Sequence, residues 1–300
     1  MLLSTDFLFQ PFHYEFFTRA IVISILIGGT CGLLGVYIVL RGMSYIGHGM
    51  SHAVFGGAVI SNIIGINFYI GAAIWGILSG LLITEINKRY KIKADAAIGV
   101  VTTAGFAIGV FLMNTGQTPM KNFEALLFGN ILAVTDLDFI FILIVSIITI
   151  IFIFFFQKRL LFTIFDSETA KVYGVNIYRI ELLFSIILAI VVIAAMNSIG
   201  VTLLAVAIIA PAISARLITN NFFKIIILSS IIGIIDAFLG MYSSFYIDSP
   251  SGATIVLFGA SSFIIAIVYS HLKKLQHMHF HGEKKHSHLH THSEEHRHEH

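Results

Sequence analysis

His48 and His52 stand four residues apart in "MSYIGHGMSHAVFGGAVIS", residues 43–61. On a helix, residues i and i+4 share a face, with Cβ atoms about 5–6 Å apart. Two neutral imidazoles held that way can aim nitrogen lone pairs at one ion, and imidazole is a common ligand of transition metals. Two other readings compete. Each ring can instead hydrogen-bond a backbone carbonyl of a neighbouring helix. The spacing also matches H-E-x-x-H, the zinc motif of metalloproteases. Here Gly49 stands where that motif carries its general-base Glu. A metal-bound water would then lack a proton acceptor in the motif, which argues against intramembrane proteolysis.

Two further groups could hold metal. Asp236, in "GIIDAFLGMY", is the other ionisable residue deep in an apolar run. It is a candidate third ligand, a proton-linked group, or a buried carboxylate paired with a backbone or hydroxyl donor. The C-terminal segment alternates: His277, His279, His281, then His286, His288, His290, His292, then His296, His298, His300. With His271 it holds eleven of the chain's 14 histidines. A flexible His tract chelates divalent metal in several registers. Its apolar content is too low to build a core, so 271–300 is expected to be a disordered His-rich tail.

The elements that must position these groups are membrane helices. The chain is 57% hydrophobic and 11% charged over 300 residues, with mean hydropathy +0.91, against about 25% charged in a soluble domain. A net charge of +2 gives no footprint for nucleic acid. Cys31 is alone and can form no internal disulfide. Residues 1–19 carry Asp6 and Glu15 and no basic cluster, so the first apolar run reads as a retained helix rather than a signal peptide. About 20 apolar residues cross the hydrocarbon core. Runs 20–40, 68–84, 96–113, 139–156 and 251–270 qualify, as do 44–66 and 225–246 despite their ionisable residues. Run 182–215 is too long for one crossing and divides at "MNSIG", 196–200. The expectation is an all-α polytopic bundle of about nine spans.

Lys and Arg concentrate in cytoplasmic loops. Nine spans with the N-terminus outside put Arg41, Lys88 to Lys93, Lys158, Arg159, Lys171, Arg179, Arg216, Lys224, Lys273 and Lys274 inside. Only Lys121 and Arg19 fall opposite, and the C-terminus is cytoplasmic. Gly28 and Gly32 remove side chains from one face of the first helix and let another helix approach. Gly47, Gly49, Ser51, Gly56 and Gly57 make the His48/His52 helix thin enough to pack centrally. Pro211 is expected to kink its helix. Segment 157–181 is polar, and Ser167–Tyr173 suits a short helix with Ser167 as N-cap and Gly174 as stop. The chain holds no G-x-x-x-x-G-K-[ST], so it is not itself a P-loop ATPase. Either another subunit hydrolyses ATP, or Asp236 couples a secondary carrier to protons or sodium.

Six stretches in order resemble one family, the permease subunits of bacterial ABC transporters for zinc, manganese and iron. They are "LRGMSYIGHGMSHAVFGGAVIS", "KADAAIGVVTTAGFAIGVFL", "LLFGNILAV", "FDSETAKVYGV", "GVTLLAVAIIAPAISARL" and "DSPSGATIVL". The resemblance runs from about residue 15 to 270. It implies that His52 is the motif histidine of the metal pathway and that His48 stands where the family commonly has Asp. It implies that Asp166, Glu168, Ala170 and Gly174 belong to a cytoplasmic coupling segment, 160–176, that docks into an ATP-binding cassette ATPase. It also implies a permease homodimer, an external metal-binding protein, a bacterial plasma-membrane location, no catalysis and no permanently bound cofactor. Because an imidazole replaces a carboxylate at His48, the expected cargo is Zn(II), with manganese or iron import and a secondary metal carrier as alternatives. The expected division is a permease domain, 1–270, followed by the tail.

Overall fold

The computed structural model describes residues 9–43, 45–90, 94–115, 127–129, 131, 134–276, 280–281 and 284–285. Ten α-helices occupy almost all of it: α1 (Glu15–Leu40), α2 (Tyr45–Ile64), α3 (Phe68–Tyr90), α4 (Ala94–Thr115), α5 (Asp136–Phe165), α6 (Ser167–Val172), α7 (Ile177–Ile199), α8 (Leu204–Ile218), α9 (Phe222–Ile247) and α10 (Ser251–Gln276). A 3₁₀ turn, Gln10–His13, precedes them, and two two-residue strands, Phe280–His281 and Lys284–Lys285, pair antiparallel after them. The fold is all-helical in substance. Among the described residues, seven helices (α1, α3, α4, α5, α7, α9 and α10) are long and apolar enough to cross a membrane. The other two expected spans are the helices α2, whose glycines, serines and histidines dilute its hydropathy, and α8, which has only 15 residues.

Backbone polar groups inside lipid must be satisfied within the segment, which helices alone do here. Large apolar side chains such as Val100, Phe111, Phe154 and Phe155 point outward, as a lipid-facing surface requires. The interior is built around α1 and α2. Helix α1 packs on α8 and α9, and α2 packs on α3, α4 and α7. The α1–α9 seam depends on missing side chains: a Cβ on Gly28 would lie 2.3 Å from the Gly233 carbonyl oxygen, and one on Gly32 would lie 2.5 Å from that of Ser229. The same approach lets the Ser229 hydroxyl donate to the Gly32 carbonyl at 2.6 Å.

Contacts between helix ends sort the bundle into two faces. At one, Arg19 of α1 pairs with Asp136 of α5, the Tyr69 hydroxyl of α3 donates to Asp138, and the Phe17 and Phe245 rings lie 5.0 Å apart. The end of α7 and the start of α10 join this face: Cβ atoms on Gly200 and Gly252 would meet Leu127, Phe128 and Ile199 backbone within 2.7 Å. At the other face, Arg41 after α1 pairs with Glu181 in α7, beside α6. Helices α9 and α10 run antiparallel through Gly240 and Ile255, so α10 ends on the α6 face. Arg41, Arg89, Lys171, Arg179, Arg216, Lys224 and Lys273 stand at helix ends on that face, and Lys158 and Arg159 lie in the last two turns of α5 toward it.

Several expected boundaries shift. The 182–215 run does divide, with Gly200 at φ +95° closing α7, but α7 begins at Ile177. Helix α5 continues through Lys158 and Arg159 to Phe165. Helix α10 passes residue 270 and ends at Gln276, because Tyr269 to Gln276 holds no breaker. Pro211 sits inside α8 without ending it. Most of the tail, including His277, His279, His286, His288, His290, His292, His296, His298 and His300, lies outside the described residues, as does Lys121.

Candidate metal-transit site and coupling face

Helix α2 is gripped by close backbone approaches from two neighbouring helices and meets a third through side-chain atoms. A Cβ on Gly57 would sit 2.5 Å from the Gly71 oxygen of α3, one on Gly56 would sit 2.3 Å from the Gly105 oxygen of α4, and one on Gly47 meets only Ile208 of α8, at 3.5 Å. Thirteen of its 20 residues are buried. His48 and His52 occupy what remains of its circumference, one and two turns from the end nearer the α6 face, and both are half-buried.

The two rings meet. His48 Nε2 and His52 Nε2 lie 3.0 Å apart with the rings edge-on, centroids 4.3 Å apart. One nitrogen donates to the other, and the tautomers decide which. Two nitrogens on one tetrahedral ion at ordinary bond lengths lie about 3.3 Å apart, so a small ring rotation opens the pair to a cation. His52 Nδ1 is buried without a hydrogen-bond partner among the described residues. Among the described residues no backbone carbonyl takes up that nitrogen. Tyr45 and Phe106 wall the pair, with ring centroids 5.4 Å from His48 and 4.6 Å from His52. Tyr45, three residues before His48, shares its face by helical spacing, whereas Phe106 lies on a different helix and only the fold brings it near.

Asp236 is elsewhere. Its Oδ2 accepts from the Ser262 hydroxyl of α10 at 2.9 Å, and the residue is 6% exposed. Among the described residues no three His, Cys, Asp or Glu side chains gather to hold a metal, so Asp236 is not brought to the histidine pair.

The four residues expected to couple lie together on and immediately flanking α6. Asp166, not Ser167, is the N-cap of α6: its Oδ1 accepts from the Thr169 N–H at 2.9 Å. Both residue types cap well, and the hydrogen bond decides. The Thr169 interactions hold the Asp166 carboxyl below its ordinary range. Ala170 is fully buried and Glu168 exposed. Gly174 has φ +77°, and the helix closes with Gly174 N–H donating to Lys171 and Val175 N–H to Ala170, at 3.0 and 2.9 Å. This is the Schellman pattern, which needs a left-handed residue where glycine now stands. Around it Phe165, Val172 and Tyr173 expose 70%, 85% and 76% of their surface. A cavity of about 630 Å³ lies between this segment and the start of α2, with Arg41, Met43 and Ile46 on one wall and Lys171, Gly174 and Glu181 on the other. The helix carrying the histidines and the segment expected to dock thus share one space.

Residues 13–270 match the ABC 3 transport family. The chain belongs to this family. It is 37% identical over 258 residues to the manganese transport system membrane protein MntC of Listeria monocytogenes, covering 86% of this chain and 92% of that one. It is 30% identical over 265 residues to the chelated iron transport system membrane protein YfeC of Yersinia pestis, 88% and 90% covered. Its fold matches a chain of PsaBC from Streptococcus pneumoniae, solved in complex with Fab, at a TM-score of 0.80 and 34% identity, over 90% of this chain and all of that one. The protein is therefore a metal ABC transporter permease, a multi-pass protein of the bacterial inner membrane, and not an enzyme. Membership implies an ATPase and an external substrate-binding partner, and the metal is cargo.

Proposed function

We propose that this permease passes manganese into the cytoplasm, with iron the second cargo, driven by an ATP-binding cassette ATPase docked on α6 and fed by an external metal-binding protein. The convergence of His48 and His52 Nε2 on one point carries the reading. The expectation of zinc gives way. The relatives are named for manganese and iron, and the imidazole at His48 supports zinc less than it first suggests. For a given set of nitrogen donors manganese binds weakest of the divalent series, and zinc far more tightly. A site that passes ions must release them. Two imidazoles would let manganese go readily and retain zinc.

The reading includes nine spans, with α2 and α8 as the two beyond the seven long apolar helices. It places the N-terminus outside and the α6 face in the cytoplasm, where the basic helix ends lie. Residues 1–270 with the end of α10 are the permease domain, the protein works as a homodimer, and 160–176 docks the ATPase. Uptake of isotopic manganese, iron and zinc by wild type, His48→Asp and His48→Ala at matched membrane abundance tests it. Wild type should accumulate manganese, and His48→Asp, which trades a nitrogen donor for an oxygen donor and so loosens the hold on zinc, should let more zinc through relative to manganese. Zinc uptake without manganese uptake would sink the cargo assignment. An unchanged metal ratio across all three would remove His48 from the pathway.

A further inference from the structure

The cavity between α6 and the start of α2 has walls of two kinds. Its charged residues are Arg41, Lys171 and Glu181, which leaves one positive charge in excess. Arg41 uses one guanidinium nitrogen on Glu181, and a guanidinium carries five N–H donors. Lys171 is exposed and has no ion pair among the described residues. The start of α7 also lines the cavity, and a helix N-terminus carries partial positive charge. The rest of the lining includes Met43, Ile46, Gly80 and Ile83, which are apolar. The two kinds of wall differ in depth. Arg41 directly follows the apolar span Glu15–Leu40, and Lys171 precedes the span Ile177–Met196. Gly80 stands about 9 Å along α3 from Ile86, where the span Phe68–Ile86 ends, and Ser185 stands about 12 Å along α7 from Ile177. The cations therefore lie at span ends, where headgroups are, and the floor lies at the depth of acyl chains. Leu78 and Leu82 of α3 are exposed, so a helix that walls the cavity also borders lipid.

We infer that this cavity binds an anionic phospholipid, its phosphodiester held by Arg41 and Lys171 and the first part of its acyl chains by Met43, Ile46 and Ile83. The single charge of a phosphodiester matches the single positive charge in excess. Basic pockets between membrane helices recognise anionic headgroups in this way. A soluble phosphate would satisfy the charged rim and leave the apolar floor uncovered. A bare hydrocarbon chain would cover the floor and leave the cations unmatched. Only an amphiphile meets both. The volume, about 630 Å³, lies within the range of roughly 300–1,000 Å³ usual for small-molecule sites. The inference concerns binding, so it stands whichever metal is carried and whether or not an ATPase docks on α6.

The test is native mass spectrometry of the full chain purified in dodecyl maltoside and titrated with dioleoylphosphatidylglycerol, dioleoylphosphatidylcholine or inorganic phosphate. Wild type, Lys171→Gln, Lys171→Arg and Gly80→Leu are compared. Wild type should retain phosphatidylglycerol in preference to phosphatidylcholine, whose phosphodiester is balanced by its own ammonium. Lys171→Gln should weaken retention about fivefold, the loss expected for one cation beside an anionic headgroup, and Lys171→Arg should restore it. Gly80→Leu keeps both cations and fills the floor. Its Cβ would lie 3.3 Å from that of Ser185 and 3.6 Å from Met50 Cε, and retention should be lost. Equal retention of the two lipids by wild type overturns the inference, as does retention that neither Lys171→Gln nor Gly80→Leu alters. Displacement of phosphatidylglycerol by excess inorganic phosphate assigns the cavity to a soluble anion and overturns the lipid. Lys171, exposed on α6, keeps the test decisive if Gly80→Leu fails to fold.

Discussion

Gly56→Ala adds one methyl group where α2 crosses α4, and the geometry sets its cost. The new Cβ would stand 2.3 Å from the Gly105 carbonyl oxygen and 2.9 Å from its carbon. An ordinary carbon–oxygen contact is about 3.3 Å, so the helices must part by about 1 Å. Backbone cannot swing aside as a flexible side chain can. The seam extends to Gly109, whose Cβ would lie 2.8 Å from Gly56 Cα, and to Gly49, whose Cβ would lie 2.4 Å from Ile98 Cγ2. A gap of that size forfeits roughly a quarter to a half of the dispersion attraction across it, and overpacking of this kind costs about 1–3 kcal/mol. Gly99, also on α4, has nothing within 4 Å of its would-be Cβ. There alanine should gain helix propensity, about 1 kcal/mol. Gly56 shares that propensity gain, so the two substitutions on adjoining helices are expected to differ by the overpacking cost, about 1–3 kcal/mol, with Gly56→Ala the less stable. Unfolding titrations in detergent micelles measure the difference, and metal uptake at matched abundance measures its consequence. Uptake should fall in Gly56→Ala, because Phe106, which follows Gly105, walls His52. If the two variants unfold within about 0.5 kcal/mol of each other, the close-approach argument for α2 is wrong.

Gly174→Ala places a Cβ on a residue at φ +77°, which costs about 1–2 kcal/mol, and should weaken ATPase stimulation by the purified permease, with Gly174→Asn less affected. Asp166 has a folded pKa below its unfolded value. Its stabilisation of α6 is therefore present at neutral pH and lost only as pH falls through that depressed value, so Asp166→Asn should flatten the acid limb of ATPase docking measured from neutral pH downward. Asp236→Asn preserves the acceptor for Ser262 and should leave uptake within about twofold of wild type, a difference of about 0.4 kcal/mol; abolished uptake in well-folded protein would return Asp236 to the pathway. Arg41 and Glu181 are each less than a third exposed. Arg41→Met and Glu181→Gln should each destabilise by about 1–3 kcal/mol, and the double variant by less than their sum in a double-mutant cycle.

Much of this architecture can be read from local pattern. The division of 182–215 is visible because Asn, Ser and Gly interrupt an apolar run, and Gly200 turns there. The histidine pair is visible because i, i+4 spacing fixes a shared helix face before any fold is known. The turn at Gly174 is visible because few residues other than glycine accept its backbone angles. Other features depend on distant partners. Arg41 and Glu181 are 140 residues apart, and nothing in either neighbourhood marks the pairing. The partner of Asp236, Ser262, sits on the next helix. The end of α5 was misjudged because Lys158 and Arg159 end a crossing without ending a helix. Cargo is not legible at His48, because ligand type alone ranks affinity, whereas transit depends on release.

The length of α5 has a mechanical consequence. Asp138 and Lys158 bracket about 20 residues, which rise about 30 Å and match the hydrocarbon thickness. Arg159–Phe165 then carries the same rigid rod about 10 Å farther, past a headgroup layer roughly 6 Å deep on each side. With the crossing ending at Lys158, helix α6 would stand at a set height above the lipid, with Phe165, Val172 and Tyr173 beyond the acyl chains. The rod acts as a spacer, and its residue count fixes both the height and the compass bearing of the surface that a partner meets. Deleting three residues from Leu160–Phe165 would lower that surface by about 4.5 Å and turn it by about 300° around the rod axis, leaving every side chain of α6 intact but aimed elsewhere.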